Sequence, residues 1–387
     1  MIDKGMEMRD KVLLSGPRLK EKMNGVSLAF ELLVRGFRER DMPCVVVDTA
    51  FAGAPSRPGA VSIRRLLETA VVIFQVWLGL LKCQRLYATM STSLPGFWRD
   101  YLCVLGARLL GRRVIMHLHG GGFADLYNSQ GAWVRRRIEA NLRRIDQIIV
   151  LGELLKDQFR VTNVDIDGKL VVVPNGLTLG VEEPESVQRC APRGRPVKLL
   201  YVSSLMASKG YLDVIKAVAV LHKKFPGMFE FDLCGGFADA ITEDQEVITS
   251  ESALIEYIEE LGLSEAITYH GQVDGASKEK VFLEADVFLL PTYYPWEGQP
   301  LSIIEAMAYA LPVVTTKHKG IPELVVDGEN GVWVDGKSPS SIASAIQKIV
   351  WSGGAYDEMS RDARNKYLRN FTRDVHLKKL ITKIFEL

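Results

Sequence analysis

Residues 286–316 form the stretch around which the sequence is organised. Residues 286–290 are an apolar run that predicts a buried strand, and Pro291 with the aromatic residues after it ends that strand. Apolar residues at helical spacing follow, until Pro312 stops the helix and residues 313–316 start the next strand. The stretch therefore predicts a strand, a loop, a helix and a strand in this order, which is the repeating unit of an α/β fold.

The same alternation runs through the rest of the chain. Apolar runs predict further strands at residues 11–14, 44–48, 85–90, 113–118, 147–151, 169–173, 198–202 and 229–234. The length of 387 residues suffices for two to three domains. Residues 183–196 are polar, charged and contain proline, which predicts a linker. We therefore expect an α/β protein whose two doubly wound, Rossmann-like domains span residues 1–182 and 197–369.

Charge balance and cysteine usage limit the partners and the compartment. The formal net charge is +1, which gives no reason to expect nucleic acid as a partner. The five cysteines are scattered and contain no CxxC pair, which argues against a disulfide framework or a zinc site. The N-terminal residues lack a long apolar region with a small-residue cleavage site, so no secretory signal is indicated. We expect a cytoplasmic protein.

Two acids flank the start of the helix predicted after Pro291. Glu297 precedes that start, and Glu305 lies about one turn inside the helix. Gly298 lets the backbone approach a ligand, and the first N–H groups of the helix suit a phosphate. The two carboxylates suit the hydroxyl groups of ribose or hexose. By spacing alone, a helix-capping box at residues 302–305 explains Glu305 more simply, and Glu297 is equally well a solvated loop charge.

Two further motifs follow predicted strands, where open α/β sheets place their ligands. Lys209 and Gly210 come directly before a predicted helix, so an ammonium and free N–H groups could together neutralise a diphosphate. His119 and three glycines follow the strand at residues 113–118, while His117 is expected to point into the core. The HGGG string also resembles the oxyanion loop of some esterases. The chain has no G-x-S-x-G nucleophile elbow, so a hydrolase is rejected.

Two patterns typical of other enzyme classes are explained by chance spacing. Residues 331–338 satisfy the spacing of a P-loop, but residues 332–334 have a strand pattern where an NTPase has a flexible cradle. Residues 165–167 have the Asp-x-Asp form of a metal-binding pair, but Asp167 and Gly168 before a strand indicate a turn. Neither an NTPase nor a metal site is therefore expected.

Two predicted helices leave a membrane contact open. Residues 62–82 form the most apolar helix, whose uncharged run is too short to span a bilayer. A buried helix is the simplest interpretation, and an interfacial helix that presents Phe74, Trp77 and Leu81 to lipid is the alternative. Residues 132–145 carry five arginines, which suit either a solvated face or attraction to an anionic lipid or a lipid-linked phosphate acceptor.

The amino-acid sequence around the two acids is a more specific signal than their spacing. Residues 297–314 (EGQPLSIIEAMAYALPVV) and residues 320–334 (GIPELVVDGENGVWV) resemble the signature of the retaining glycosyltransferases of family four, often called group one. This resemblance implies the GT-B fold, in which two Rossmann-like domains face each other across a cleft. It covers nearly the whole chain and implies that a C-terminal helix at residues 370–387 packs back on the first domain.

The resemblance also implies roles for single residues. Glu305 would bind the ribose hydroxyls, Glu297 would lie beside the donor hexose, and Lys209 would balance the charge of the departing diphosphate. His119 would hold sugar hydroxyls or the β-phosphate. Ser204 is a departure, because many members have an arginine at this position, five residues before the lysine. The expected catalytic residues are His119, Glu297 and Lys209, and the expected donor-binding residues are Glu305, Gly298, Gln299, Pro300, Leu301, Ser204 and Gly25.

The resemblance implies a retaining glycosyltransferase that moves a hexose-type sugar from a UDP- or GDP-sugar to a glycan or lipid-linked acceptor, in bacterial envelope polysaccharide synthesis. No metal or other cofactor is implied, and a peripheral contact with the inner face of the cell membrane stays open. The alternative of a different class is a catalytically inactive GT-B protein that binds nucleotide or serves as a scaffold. The joint presence of His119, Lys209, Glu297 and Glu305 argues against this alternative.

Overall fold

The computed structural model describes residues 11–19, 25–50, 63–177, 184, 187–238, 248–351 and 354–386. Residues 1–10 of the N-terminal stretch considered for a secretory signal, and residue 62 of the predicted apolar helix, lie outside this part. The chain divides into two compact units. The first unit contains Met1–Leu179 and Asp374–Leu387, and the second contains Gly180–Arg373.

The first unit is built on a parallel sheet of six strands in the order β2-β1-β3-β4-β5-β6 within the described residues. The chain runs outward from β1 in one direction to β2 and in the other direction from β3 to β6. This sheet is therefore doubly wound, with its switch point between β1 and β3. The strands are β1 (Val12–Gly16), β2 (Cys44–Asp48), β3 (Arg85–Thr89), β4 (Arg113–Leu118), β5 (Gln147–Val150) and β6 (Leu170–Val172).

Helices cover both faces of this sheet, which is why its strands are apolar on both sides. The helices of the first unit before the second sheet are α1 (Gly25–Glu39), α2 (Ile63–Leu80), α3 (Leu94–Leu109), α4 (Phe123–Asn128) and α5 (Ala132–Arg144). Buried residues of α2, α3 and α5 form one core with alternate strand residues such as Leu86 and Met116. Phe30 and Phe37 of α1 pack on the other face, against Val12 and Ile115.

The second unit repeats this plan. Its six parallel strands have the order β12-β11-β10-β7-β8-β9, so its switch point lies between β7 and β10. The strands are β7 (Val197–Val202), β8 (Phe229–Cys234), β9 (Ile267–Tyr269), β10 (Val287–Leu290), β11 (Val313–Thr316) and β12 (Gly331–Val334). The helices are α6 (Tyr211–Lys224), α7 (Glu251–Glu260), α8 (Gly275–Glu284), α9 (Leu301–Ala308), α10 (Ile321–Leu324), α11 (Pro339–Trp351) and α12 (Ala355–Asn370). The predicted α/β fold with two Rossmann-like sheets is confirmed.

The last helix, α13 (Arg373–Phe385), belongs almost entirely to the first unit. Leu377, Leu380 and Ile381 are buried in the core that α1 forms on its face of the first sheet. Residues 370–373, which were expected to start this helix in the first domain, fall in the second unit.

Residues 187–196, within the predicted linker, are bound to the second unit. The guanidinium of Arg195 makes two hydrogen bonds of 2.7 Å to the buried carboxylate of Asp286. Arg189 donates to the carbonyl oxygens of Tyr309 and Phe282 at 2.7 Å each. Residues 187–196 are therefore packed on the second unit by these hydrogen bonds.

The interpretation of residues 62–82 as a buried helix is wrong. Only a narrow face of α2 is buried, and it consists of Val72, Val76, Gly79 and Leu80. Large apolar side chains on the rest of the helix are exposed. The helix has more apolar residues than one face of the sheet can cover, and its composition alone does not show this.

Candidate functional site

Lys209 and Glu297 lie at the switch point of the second sheet. Lys209 ends a short 3-10 helix (Ala207–Lys209) in the loop after β7, and Glu297 lies in the loop after β10. Because β7 and β10 are neighbours in the sheet, the loops at their carboxyl ends meet. Open α/β sheets bind ligands at such a point.

The two side chains form a largely buried ion pair. The ammonium of Lys209 donates to a carboxylate oxygen of Glu297 over 2.7 Å, and Glu297 is 5% exposed. The hydroxyl of Thr292 donates to the same carboxylate oxygen at 3.0 Å. The ammonium also lies 4.6 Å from the centre of the Tyr294 ring, a distance suited to a cation–π contact. The lysine and the acid are therefore fixed side by side.

Backbone contacts hold the two loops together. The N–H of Tyr293 donates to the carbonyl of Ser208 at 2.8 Å. Gly210 has a φ of +83°, and a Cβ there would lie 2.5 Å from the carbonyl oxygen of Pro291. Glycine is thus required both by the backbone conformation and by the close approach of the second loop.

Glu305 lies on α9, one turn after the helix start, and is 2% exposed. Its carboxylate accepts a hydrogen bond of 2.7 Å from the ammonium of Lys278 on α8. The capping-box interpretation of residues 302–305 is wrong, because the N-cap is Pro300, without a side-chain cap, and Ser302 lies inside the helix. Glu305 therefore has a counter-ion in place of a cap partner.

Lys278 is the residue of this site that the sequence did not reveal. It lies 27 residues before Glu305, on a helix for which no pattern was identified. A lysine on an amphipathic surface has the same sequence signature whether its ammonium is solvated or paired.

The loop that leads into α9 contains most of the other expected donor-binding residues. Gly298, Gln299 and Pro300 are buried, and Leu301 is the first residue of α9. The first N–H groups of α9 have no partner within the helix, as at any helix start, and the positive end of the helix dipole lies here. This end of α9 thus has the electrostatics of an anion site.

Ser204 lies in the loop after β7 and is exposed. Its carbonyl accepts from the hydroxyl of Tyr201 at 3.2 Å and from the N–H of Met206 at 2.9 Å. Its side chain forms no hydrogen bond with Lys209, Glu297 or Glu305, so it is not joined to their ion pairs.

Two expected site residues belong to the first unit. Gly25 is the exposed first residue of α1, and β1, the strand before it, borders the switch point of the first sheet. His119 follows β4, and its ring stacks on His117 with the ring centres 3.9 Å apart. His117 is fully buried, as predicted, and its Nδ1 lies 2.6 Å from the hydroxyl of Tyr87.

The imidazole of His119 is held neutral. Burial, with the nearby His376 as a smaller cause, lowers the pKa of His119 to about 3. Its Nε2 is buried and has no hydrogen-bond partner among the residues that the structure describes. A neutral imidazole with a free buried nitrogen can exchange a hydrogen bond with a hydroxyl or a phosphate oxygen, but it adds no positive charge at neutral pH.

The two rejected motifs have the predicted local structure. Gly331–Val334 is strand β12, which confirms that residues 331–338 are not a P-loop cradle. The N–H of Asp167 donates to the carboxylate of Asp165 at 3.3 Å, and Asp167 opens a 3-10 helix, which confirms the turn.

Across the described ranges, no group of three His, Cys, Asp or Glu residues has the arrangement of a metal site. In the same ranges, no helix combines the length and apolarity needed to cross a bilayer.

Comparison with known proteins agrees with the fold and concerns mainly the second unit. Residues 183–366 match the family model described as Glycosyl transferases group 1. The chain is 28% identical over 203 residues to D-inositol 3-phosphate glycosyltransferase of Paenarthrobacter aurescens, covering 51% of this chain and 47% of that protein. It is 26% identical over 232 residues to glycogen synthase of Mycobacterium tuberculosis, covering 59% and 51% respectively. The chain thus spans about half the length of these curated relatives.

The fold similarity extends over the whole chain. The crystal structure of Anabaena HepE in complex with UDP superimposes with a TM-score of 0.70 at 18% identity, covering 97% of this chain and 100% of that one. The chain therefore has the GT-B fold, and residues 183–366 of it match the glycosyl transferases group 1.

Proposed function

We propose that the protein is a retaining glycosyltransferase that transfers a hexose-type sugar from a UDP- or GDP-sugar. The observation that carries this proposal is the buried Lys209–Glu297 pair at the switch point of the second sheet, followed by Glu305 one turn inside α9. The group 1 family match over the same residues and the UDP complex of a protein with this fold support it.

The donor would be held by charges and hydroxyl contacts in the second unit. The ammonium of Lys209 and the N-terminal N–H groups of α9 would donate hydrogen bonds to its diphosphate. The carboxylate of Glu305 would accept hydrogen bonds from the ribose hydroxyls, oriented by Lys278. Glu297 would lie beside the hexose, on the loop that Gly298, Gln299 and Pro300 continue.

The transfer step would depend on charge placement. As the bond between sugar and diphosphate breaks, negative charge grows on the leaving phosphate, and Lys209 stabilises that charge. The departing phosphate would accept the acceptor's proton on the same face, which retains the anomeric configuration. His119 would contribute a hydrogen bond from a neutral ring to a sugar hydroxyl or the β-phosphate. No metal takes part in this scheme.

We extend the proposal to the acceptor and the compartment. The acceptor would be a glycan or a lipid-linked sugar of bacterial envelope polysaccharide synthesis, and the protein would act on the cytoplasmic side of the cell membrane. The names of the relatives support sugar transfer and leave this acceptor open.

Nucleotide binding tests the donor site. The thermal midpoint would be measured with UDP, GDP, ADP and their sugars, without metal, for the wild type, Glu305→Gln and the exposed-site control Glu256→Gln. A ligand at about a hundred times its dissociation constant adds roughly 2.7 kcal/mol of stability. We expect one nucleotide to stabilise the wild type and the control but not Glu305→Gln. Equal responses of all three proteins, or no response at all, would place the donor elsewhere and favour an inactive scaffold.

Retention is tested with the nucleotide-sugar that binds. NMR of the product formed on a soluble glycan acceptor gives the anomeric configuration of the new bond. The same configuration as in the donor supports the proposed mechanism, and the opposite configuration contradicts it.

A further inference from the structure

The exposed face of α2 is an apolar stripe of unusual length for a protein surface. The stripe consists of Ile63, Leu66, Leu67, Val71, Phe74, Trp77, Leu78 and Leu81, each between 40% and 78% exposed. These positions recur at intervals of three and four residues, so they lie along one side of the helix. Single exposed apolar residues are ordinary, whereas a continuous row of this kind marks an interaction surface.

The stripe is held on a rigid base. The indole N–H of Trp77 donates to the carbonyl of Leu102 on α3 at 3.1 Å. Gly106 makes room for this indole, since a Cβ there would lie 2.4 Å from the indole nitrogen. Leu109 extends the exposed apolar surface onto α3, where it is 74% exposed.

The same layer of helices is strongly basic, although the whole chain has a net charge of only +1. The helices α2, α3 and α5 together contain nine arginines and three acids. Four of these arginines have an acidic partner: Arg64 with Glu68 at 3.0 Å, Arg99 with Asp100 at 2.7 Å, Arg108 with Asp146 at 2.8 Å and Arg143 with Glu139 at 4.0 Å. The excess of positive charge therefore lies mainly on α5, which has five arginines and one acid.

Helix α5 presents arginines and a tryptophan together. Arg136 and Arg137 are exposed and form no ion pair with any residue that the structure describes. Trp133 is 61% exposed, lies 5.5 Å from the Trp98 ring between ring centres, and is covered on one side by the guanidinium of Arg137 at 5.3 Å. An amphipathic aromatic residue beside exposed arginines suits the boundary between lipid headgroups and acyl chains.

We propose that the layer formed by α2, α3 and α5 docks on an anionic phospholipid bilayer. The α2 stripe inserts below the headgroups, and the arginines of α5 contact lipid phosphates. A protein partner with an apolar groove would explain the stripe alone, whereas a bilayer with anionic headgroups explains the stripe, the aromatic residue and the cations on one layer. This inference does not rest on the proposed transfer activity, because docking needs no donor or acceptor.

Flotation with vesicles tests the docking on the full chain. The vesicles contain phosphatidylcholine alone or phosphatidylcholine with phosphatidylglycerol, and no nucleotide-sugar is added. We expect binding to the anionic vesicles and weaker binding as salt is added, because the arginine contacts are screened. Absence of binding at low salt, or equal binding to neutral vesicles, overturns the proposal.

Two sets of variants locate the surface. The triple variant Leu67→Gln, Phe74→Gln and Leu78→Gln removes apolar area, and its matched control changes three exposed apolar residues of the second unit, Val220→Gln, Ile255→Gln and Leu283→Gln. Each apolar side chain that is buried in the bilayer strengthens binding on the order of tenfold, so we expect the triple variant to lose nearly all binding to anionic vesicles. The control variant should bind these vesicles as the wild type does. Equal binding of the two variants contradicts the assignment of the surface.

The charge variant separates the two contributions. Arg136→Gln with Arg137→Gln is compared with Lys223→Gln and Lys348→Gln in the second unit. Each arginine near an anionic surface contributes about a factor of five, so the first pair lowers binding by roughly 25-fold and the control changes it little.

If something other than a bilayer covers the stripe, the triple variant gives a different result. If a second copy of the chain covers it, the triple variant lowers the molar mass in solution and leaves vesicle binding unchanged. If residues 51–62 cover it, the triple variant lowers the thermal midpoint and again leaves vesicle binding unchanged. Either result overturns docking on a bilayer.

Discussion

The ammonium of Lys278 and the carboxylate of Glu305 form a hydrogen-bonded ion pair of 2.7 Å that joins α8 to α9. Glu305 is almost fully buried, while Lys278 retains some exposure at its edge. An acid in this position needs a counter-ion to remain buried with its charge, and it needs a fixed orientation to receive a ribose. In the proposed donor site Lys278 would supply both, and its role would then be to position Glu305.

Lys278→Met should therefore weaken nucleotide binding indirectly. Loss of the counter-ion leaves a buried carboxylate unpaired, which should lower the free energy of unfolding by about 1–3 kcal/mol, less than for a fully buried pair. A displaced Glu305 should lower nucleotide affinity by roughly tenfold. Calorimetric titration with the nucleotide that binds the wild type measures this effect. Lys280→Met is the matched control, because Lys280 lies on the same helix and is 75% exposed. If both variants bind equally well, Lys278 has no positioning role.

Lys209→Met should affect catalysis more than ground-state binding. Lys209 is paired with Glu297 before any ligand binds, so the diphosphate competes with an existing partner. The full interaction would develop only as the leaving group gains charge, and its loss should lower kcat/KM by about 100- to 1,000-fold. Steady-state kinetics with separate kcat and KM values check this expectation. Lys223→Met, an exposed change on α6, is the control. A rise in KM with an unchanged kcat would mean that Lys209 only binds the donor.

Gly210→Ala should disturb the junction of the two site loops. The change introduces a side chain at a φ of +83° and 2.5 Å from the carbonyl of Pro291. Gly227→Ala is a matched control, because Gly227 has a φ of +72° with open space around it. The control should cost about 1 kcal/mol from the backbone alone, and Gly210→Ala should cost roughly 2–4 kcal/mol. Denaturant unfolding gives both values. An equal loss in the free energy of unfolding of both variants would show that the two loops can move apart without a further energetic penalty.

The sequence was sufficient for strands whose apolar runs are bounded by clear breakers. The predicted bounds of β4, β8 and β11 agree with the structure residue for residue. It was insufficient for residues 248–285, where no element was predicted and the structure has α7, β9 and α8. Strand β9 has only three residues, Ile267–Tyr269, at the edge of the sheet, so it gives no pattern of useful length.

The residues of the candidate site also differ in how far the sequence could identify them. Lys209 and Glu297 each follow a strand, and strand ends are where such sheets bind ligands, but by spacing alone Glu297 was equally well a solvated loop charge, and the family resemblance singled it out. The Lys278–Glu305 pair depends on how α8 packs beside α9, which no local pattern encodes. The exposure of α2 likewise depends on how much of its apolar surface the sheet can cover. Local pattern thus predicted most elements outside residues 248–285, and tertiary packing decided which charges are paired and which apolar faces remain exposed.

His119 and His376 should make the stability of the first unit depend on pH. The folded-state pKa is lowered to about 3 for His119 and to about 4 for His376, in both cases mainly by burial. A histidine with a lowered pKa binds its proton in the unfolded state first. Its contribution to stability is therefore complete above about pH 6.5 and is lost as the pH falls toward the folded-state pKa.

His119→Gln should remove part of this dependence. Between pH 7 and pH 4, the wild type should lose about 1–3 kcal/mol more stability than the variant, since the variant has one fewer histidine with a lowered pKa. Denaturant unfolding at a series of pH values measures the difference. His222→Gln, outside the cluster on α6, controls for the loss of a histidine elsewhere and should follow the wild type. Parallel curves for wild type and His119→Gln would mean that the pKa of His119 is the same in the folded and the unfolded protein, so that burial does not lower it.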